Sequence, residues 1–187
     1  MLCSTKSILA NASTPVDDIC SIDQQAQKDL LFERFDTYRE KHYQRLHLPH
    51  RQSFYHLVLF TKGQGYQTID FEKFPVQPYQ IYFMAPGQVH SWHFESEVDG
   101  FLVHFNEALF YSFLHESHYQ ERFHFFSGNS ADGVCLLPIL VYDKVVKLFE
   151  SILQEIAVGK EQNPAVIRLK RLELFIAIDR TLLFFSY

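Results

Sequence analysis

Between His50 and Phe105 the chain alternates apolar-rich runs with turn residues at intervals of about ten positions. FYHLVLFTK leads into Gly63–Gln64–Gly65, QIYFMA into Pro86–Gly87, and the run after Val89 into Asp99–Gly100. Strands in this rhythm build a small antiparallel barrel or jelly roll. The pattern predicts strands at His50–Lys62, Tyr66–Phe71, Gln80–Ala85, Val89–Glu95 and Phe101–Phe105, with Tyr66–Phe71 folding back on the first as a hairpin. Pro75 and Pro78 fall between strands, where a missing N–H costs a sheet nothing.

After Phe105 the period lengthens. Asn106 is a suitable N-cap for a helix over Glu107–His115. An aromatic, irregular stretch follows, and then two amphipathic helices close the chain. Val141, Val145, Leu148, Ile152 and Ile156 share one face of the first, which Gly159 ends. Asn163 caps the second, Pro164 takes its first turn, and Ile167, Leu174, Ile178 and Leu182 recur along it. The connector is too long for a helix-turn-helix, and the LLFFSY ending is wrong for a groove-facing helix. The pair reads instead as a helical hairpin, with dimerisation and packing against the barrel as the two uses for its apolar surface. Ahead of the β region, LLFERFDTY has strand character and YREKHYQ helical character. The fold class is therefore mainly β with α, a jelly-roll barrel followed by a C-terminal helical hairpin. Residues 1–20 form a mobile arm, 21–135 the barrel domain and 136–187 the hairpin.

Composition narrows the function. The 187 residues suit one domain, and 19 Phe, 10 Tyr and 1 Trp supply a substantial core. The formal charge of −5 gives no basic face for DNA phosphates, so this chain by itself should bind DNA poorly. Ile8, Leu9 and Ala10 are too short an apolar patch for a secretory signal, and no run spans a bilayer; the expected location is cytoplasmic. Cys3, Cys20 and Cys135 lack metal-ligand spacing and read as reduced thiols. There is no nucleophile elbow and no phosphate-binding loop, so nothing argues for catalysis or for a cofactor.

Among ten histidines, two invite a site. By strand parity His50, Gln52, Phe54, His56 and Val58 form one row, and His90 shares a row with Trp92 and Phe94. Should both rows face the interior, His50, His56 and His90 converge, and three imidazoles suffice for a zinc or iron site with open positions. His93 points outward by parity, and His104, His115, His118 and His124 read as surface residues. A barrel mouth lined by His, Tyr and Trp suits a small polar organic ligand such as a sugar. Its expected contacts are His56, Tyr66, Tyr82, His90 and Trp92, with Trp92 as core filler the alternative.

Two resemblances sharpen these expectations. His50, Gln52, His56 and Gly63, then Gly87 and His90, follow the spacing of the two cupin motifs. Gln52 stands where the cupin pattern has a His, and His56 where it has a Glu. The expectation is accordingly no bound metal, with His50, His56 and His90 as the alternative ligand set. The strings HRQSFYHLVLFTKGQG, IDFEKFPVQPYQIYFMAPGQVHSWHF and GFLVHFNEALF resemble the N-terminal sensor domain of AraC-type transcription regulators. That resemblance implies a cupin-like domain that binds an effector, dimerises through its C-terminal helices and controls a DNA-binding domain with two helix-turn-helix units. No such unit occurs before Tyr187, where the linker to it is expected. A metal-dependent cupin enzyme, a dioxygenase or isomerase, is the competing expectation.

Overall fold

The computed structural model describes residues 16–17, 30–107, 119–159 and 163–185. The expected arm over residues 1–20 and the helix over Glu107–His115 therefore lie almost wholly outside the described residues. The described strands are β1 (Val16–Asp17), β2 (Leu30–Arg34), β3 (His50–Gln52), β4 (Tyr55–Lys62), β5 (Gly65–Ile69), β6 (Glu72–Val76), β7 (Gln80–Met84), β8 (Val89–Phe94), β9 (Asp99–Phe105) and β10 (Val134–Leu136). The helices are α1 (Phe35–Leu46), α2 (Ile139–Ala157) and α3 (Pro164–Phe185). Two five-stranded sheets face each other, one in the order β1-β3-β8-β5-β6 and the other β10-β7-β4-β9-β2. All pairs are antiparallel except the short β1–β3 contact.

Two features of the expected strand layout are corrected. The run His50–Lys62 breaks at Ser53–Phe54, because β3 belongs to one sheet and β4 to the other. The break removes an even number of residues from the pairing, so His50, Gln52, Phe54, His56 and Val58 are still all buried. The expected β4–β5 hairpin does not form: β5 pairs with β6 and β8. Gly63 and Gly65 have φ of 115° and 151°, and a Cβ on Gly65 would sit 2.1 Å from the His93 carbonyl oxygen. Those glycines carry the chain across a corner from one sheet to the other. The hairpin that does form turns at Asp70–Phe71, both at positive φ, and its return arm is the edge strand β6, which runs through Pro75, where the sequence predicts a break.

Strand alternation then makes two cores. Leu57, Leu59, Ile81, Phe83, Phe101, Val103 and Phe105 lie on the outer face of the second sheet and meet Val145, Phe149 and Ile152 of α2 and Leu174, Phe175 and Ile178 of α3. Phe149 stacks on Phe101 at 4.8 Å. The buried face of α2 is centred on Phe149 between Val145 and Ile152, slightly rotated from the stripe read in the sequence. Asn163 caps α3 as expected, its side-chain oxygen accepting from the Ala165 N–H at 3.0 Å. Opposite-parity residues, among them Val58, Phe60, Tyr82, Trp92 and Leu102, fill the barrel with Phe35 and Tyr38 of α1 closing over them.

Candidate functional site

The barrel interior has an aromatic half and a polar half. In the aromatic half Trp92 is surrounded by Phe35, Phe60, Tyr82 and Phe94 at centroid distances of 5.4–5.8 Å. Trp92 thus does act as core filler, yet its indole N–H has no partner. The Tyr82 hydroxyl donates to the Pro75 carbonyl, and burial raises its pKa well above the ordinary tyrosine value.

Strand register assembles the polar half. His50 lies directly opposite His90 on the β3–β8 ladder, and His56 opposite His104 on the β4–β9 ladder. Each sheet contributes one cross-strand histidine pair, and sheet stacking brings the pairs together. Ring centroids are 4.2 Å apart for His50–His90, 4.4 Å for His56–His104 and 5.6 Å for His56–His90. Phe54 and Tyr38 pack on His104 at 4.5 and 5.3 Å. The start of β8 is held by Asp70, whose carboxylate accepts from the Val89 N–H and the Gln88 side-chain amide, both at 2.9 Å. That anchor fixes the register that points His90 inward.

Few hydrogen bonds satisfy this cluster. His56 donates from Nδ1 to Gln52 Oε1 at 2.8 Å, His50 donates from Nδ1 to the Leu48 carbonyl at 2.8 Å, and Gln67 Nε2 donates to Met84 Sδ at 3.0 Å. Seven buried atoms have no partner: His56 Nε2, Gln67 Oε1, Trp92 Nε1 and both ring nitrogens of His90 and of His104. Burial above all, then the neighbouring imidazoles His104, His90 and His50, hold the His56 pKa well below its ordinary value. His104 is lowered in the same way by burial, then by His90, His42 and His50. His90 is pushed down to about 3 by burial and by His50, opposed in part by the Gln88 backbone. The interior is therefore a neutral, polar surface rather than a charged one.

Of the expected contacts, His56, His90, Tyr82 and Trp92 share the interior. Tyr66 does not: it lies on the outer face of its sheet, stacked on His93 at 4.7 Å with the Lys73 ammonium 4.3 Å from its ring centroid. His93 is exposed, as parity requires, and so is His124. His104 corrects the expectation of a surface residue, being fully buried. Both faces of GFLVHF are apolar, which hid its direction; only its pairing opposite His56 reveals it. Gln67 was missed although it shares its row with buried Ile69, the signal in GYQTI that could have found it. Among the described residues no three His, Cys, Asp or Glu side chains are arranged to hold a metal ion. Gln52, at a ligand position of the cupin pattern, is instead the hydrogen-bond acceptor for His56.

A family model described as the AraC-like ligand binding domain matches residues 35–176. Among solved structures, the AraC-like transcriptional activator CuxR is similar at 11% identity and a TM-score of 0.48, covering 70% of this chain and 42% of CuxR. The chain thus spans about two fifths of that activator's length. A conserved protein of unknown function from Streptococcus pyogenes is similar at 18% identity and a TM-score of 0.34, covering 43% of this chain and 68% of that one. No curated protein sequence gave a significant match.

Proposed function

We propose that this chain, which belongs to the AraC-like ligand-binding domain family, senses a small polar organic effector inside its barrel as part of an AraC-type transcription regulator. The observation that carries this reading is the group of seven buried polar atoms without partners on His56, Gln67, His90, Trp92 and His104. Each such group left unsatisfied costs about 1–3 kcal/mol, which a ligand offering hydrogen bonds would recover. His56 and His90 supply polar contacts, Trp92 a flat face and one donor, and Tyr82 the aromatic wall; Tyr66 is left out because it faces away. A sugar is one ligand of this chemistry. DNA contact is assigned to a separate domain, since the chain carries a formal charge of −5. No helix among the described residues is long and apolar enough to cross a membrane, which fits a cytoplasmic regulator. A metal-dependent enzyme is disfavoured by the family and by Gln52 in place of a histidine ligand.

A homodimer through α2 and α3 is the second part of the proposal. Leu140 is 82% exposed and Leu169 59% exposed on the surface of the hairpin, beside a groove lined by Val141, Leu172 and Ile176. An apolar stripe of this kind favours association. Replacing Leu140 and Leu169 by Glu should convert a dimer to a monomer in sedimentation; a wild-type protein monomeric at high concentration refutes the dimer. For the sensor, candidate effectors should raise the melting temperature in proportion to the logarithm of their concentration. Unchanged effector affinity in both His56→Ala and Trp92→Ala would put the pocket elsewhere.

A further inference from the structure

We propose that Gln52 and the Leu48 carbonyl lock His56 and His50 in one tautomer, so that the barrel selects an uncharged ligand through the ligand's own O–H or N–H donors. This rests on the reading of the interior as the effector site and makes Gln52 a positioning residue for its specificity. A backbone carbonyl only accepts hydrogen bonds, so the 2.8 Å contact from His50 Nδ1 to Leu48 requires a proton on Nδ1. With the Gln52 amide turned oxygen-first toward His56, the 2.8 Å contact from His56 Nδ1 to Gln52 Oε1 calls for the same form on His56. A neutral imidazole has one donor and one acceptor, so His56 is left with a lone pair at Nε2, and His50 in its neutral form likewise. Free imidazole favours the opposite tautomer, and the two bonds hold these rings against that preference.

The consequence is an interior weighted toward acceptors. His50 and His56 each offer Nε2, and Gln67 adds an unpartnered Oε1, its amide nitrogen being engaged with Met84. His90 and His104 each add one acceptor and one donor, and Trp92 one donor. The fully buried polar residues around this cluster are His and Gln only; half-buried Glu33 on β2 pairs through Oε1 with Lys41 on α1 and keeps Oε2 without a partner. A cationic ligand would find here only the Glu33 carboxylate, whose charge Lys41 already offsets, and an anionic one no ammonium or guanidinium left unpaired, so either would be desolvated without a free counter-charge. An uncharged ligand presenting adjacent hydroxyl or N–H groups meets the lone pairs directly.

The test reads the tautomers and the selection separately. Long-range ¹H–¹⁵N spectra of histidine-labelled protein at neutral pH should show protonated Nδ1 and unprotonated Nε2 for His50 and His56. Gln52→Leu should release His56 to the Nε2–H form, whereas Gln52→Glu, which keeps an acceptor, should preserve Nδ1–H. The same resonances then report on four small aromatic probes: catechol, 1,2-dimethoxybenzene, benzoate and benzylammonium. Catechol should move the Nε2 signals of His50 and His56, and bind about tenfold or more tightly than the other three, the worth of one to two hydrogen bonds. Gln52→Leu should lose the margin over 1,2-dimethoxybenzene and Gln52→Glu retain it. Protonated Nε2 on His56 in the unmodified protein, or dimethoxybenzene binding as tightly as catechol, overturns the proposal. Nδ1–H tautomers with no interior imidazole moved by any probe overturn the effector-site reading, and the selection with it.

Discussion

Acidification should unfold this domain from the inside, through the three imidazoles of His56, His90 and His104. All three are buried and held neutral, with His90 pushed down to about 3 and the others also well below their ordinary value. In the unfolded chain each titrates near its ordinary value of about 6.5. Below that pH the unfolded state binds more protons than the folded one, so stability is complete above about pH 6.5 and falls as pH falls toward the folded pKa values. One imidazole loses about 1.4 kcal/mol by pH 5.5 and about 2 kcal/mol by pH 5, as RT ln(1 + 10^ΔpH) requires. Three together lose about 4 and about 6 kcal/mol, a large share of the roughly 5–15 kcal/mol that holds a domain folded. Urea unfolding followed by the fluorescence of Trp92, the one tryptophan of the chain, reads this directly at pH 7.5, 6.5 and 5.5. His104→Gln removes one titrating group and should reduce the pH slope by about one third, whatever it does to stability at pH 7.5. A free energy constant from pH 7.5 to 5.5, or a slope unchanged by His104→Gln, would refute the reasoning.

Other perturbations test the packing. Phe149→Ala removes a fully buried ring that stacks on Phe101 and contacts Phe32 at 5.7 Å, and should cost about 3–5 kcal/mol, read as a lower urea midpoint. Gly100→Ala places a Cβ 1.9 Å from the Leu59 carbonyl oxygen near one end of the β4–β9 ladder, where the clashing atom is backbone and no flexible side chain can yield. It should cost about 3 kcal/mol or more, and a stable Gly100→Ala protein would show that the two strands are not so closely apposed.

Most of the architecture was legible along the chain because it rests on local chemistry. The apolar run QIYFMA, alternation in VHSWHF, the Pro86–Gly87 turn and the Asn163–Pro164 cap each act within a few residues, and they predicted strands and helices that the structure contains. Parity likewise placed His56, His90 and Trp92 on inward rows and His93 outward, since a strand's period of two admits no other arrangement once one member is buried. Family membership was legible too, in the ordered set from Phe54 to Asn106.

What local pattern did not decide is which strand lies beside which. Tyr66–Phe71 looked like the return arm of a hairpin, but Gly63 and Gly65 allow a corner as readily as a hairpin, and only the pairing of β5 with β8 distinguishes them. GFLVHF is apolar on both faces because one face packs on the barrel interior and the other on α2 and α3, so its alternation gave no direction to His104. Tyr66 was equally undirected until Gln67 was seen opposite Trp92, which turns Tyr66 outward. The site itself is a product of register: His50 meets His90, and His56 meets His104, across ladders joining segments some 40 residues apart. The chain specifies that four imidazoles exist and that two carry their own acceptors at Leu48 and Gln52. That they share one buried interior, short of partners, is set by how the two sheets stack.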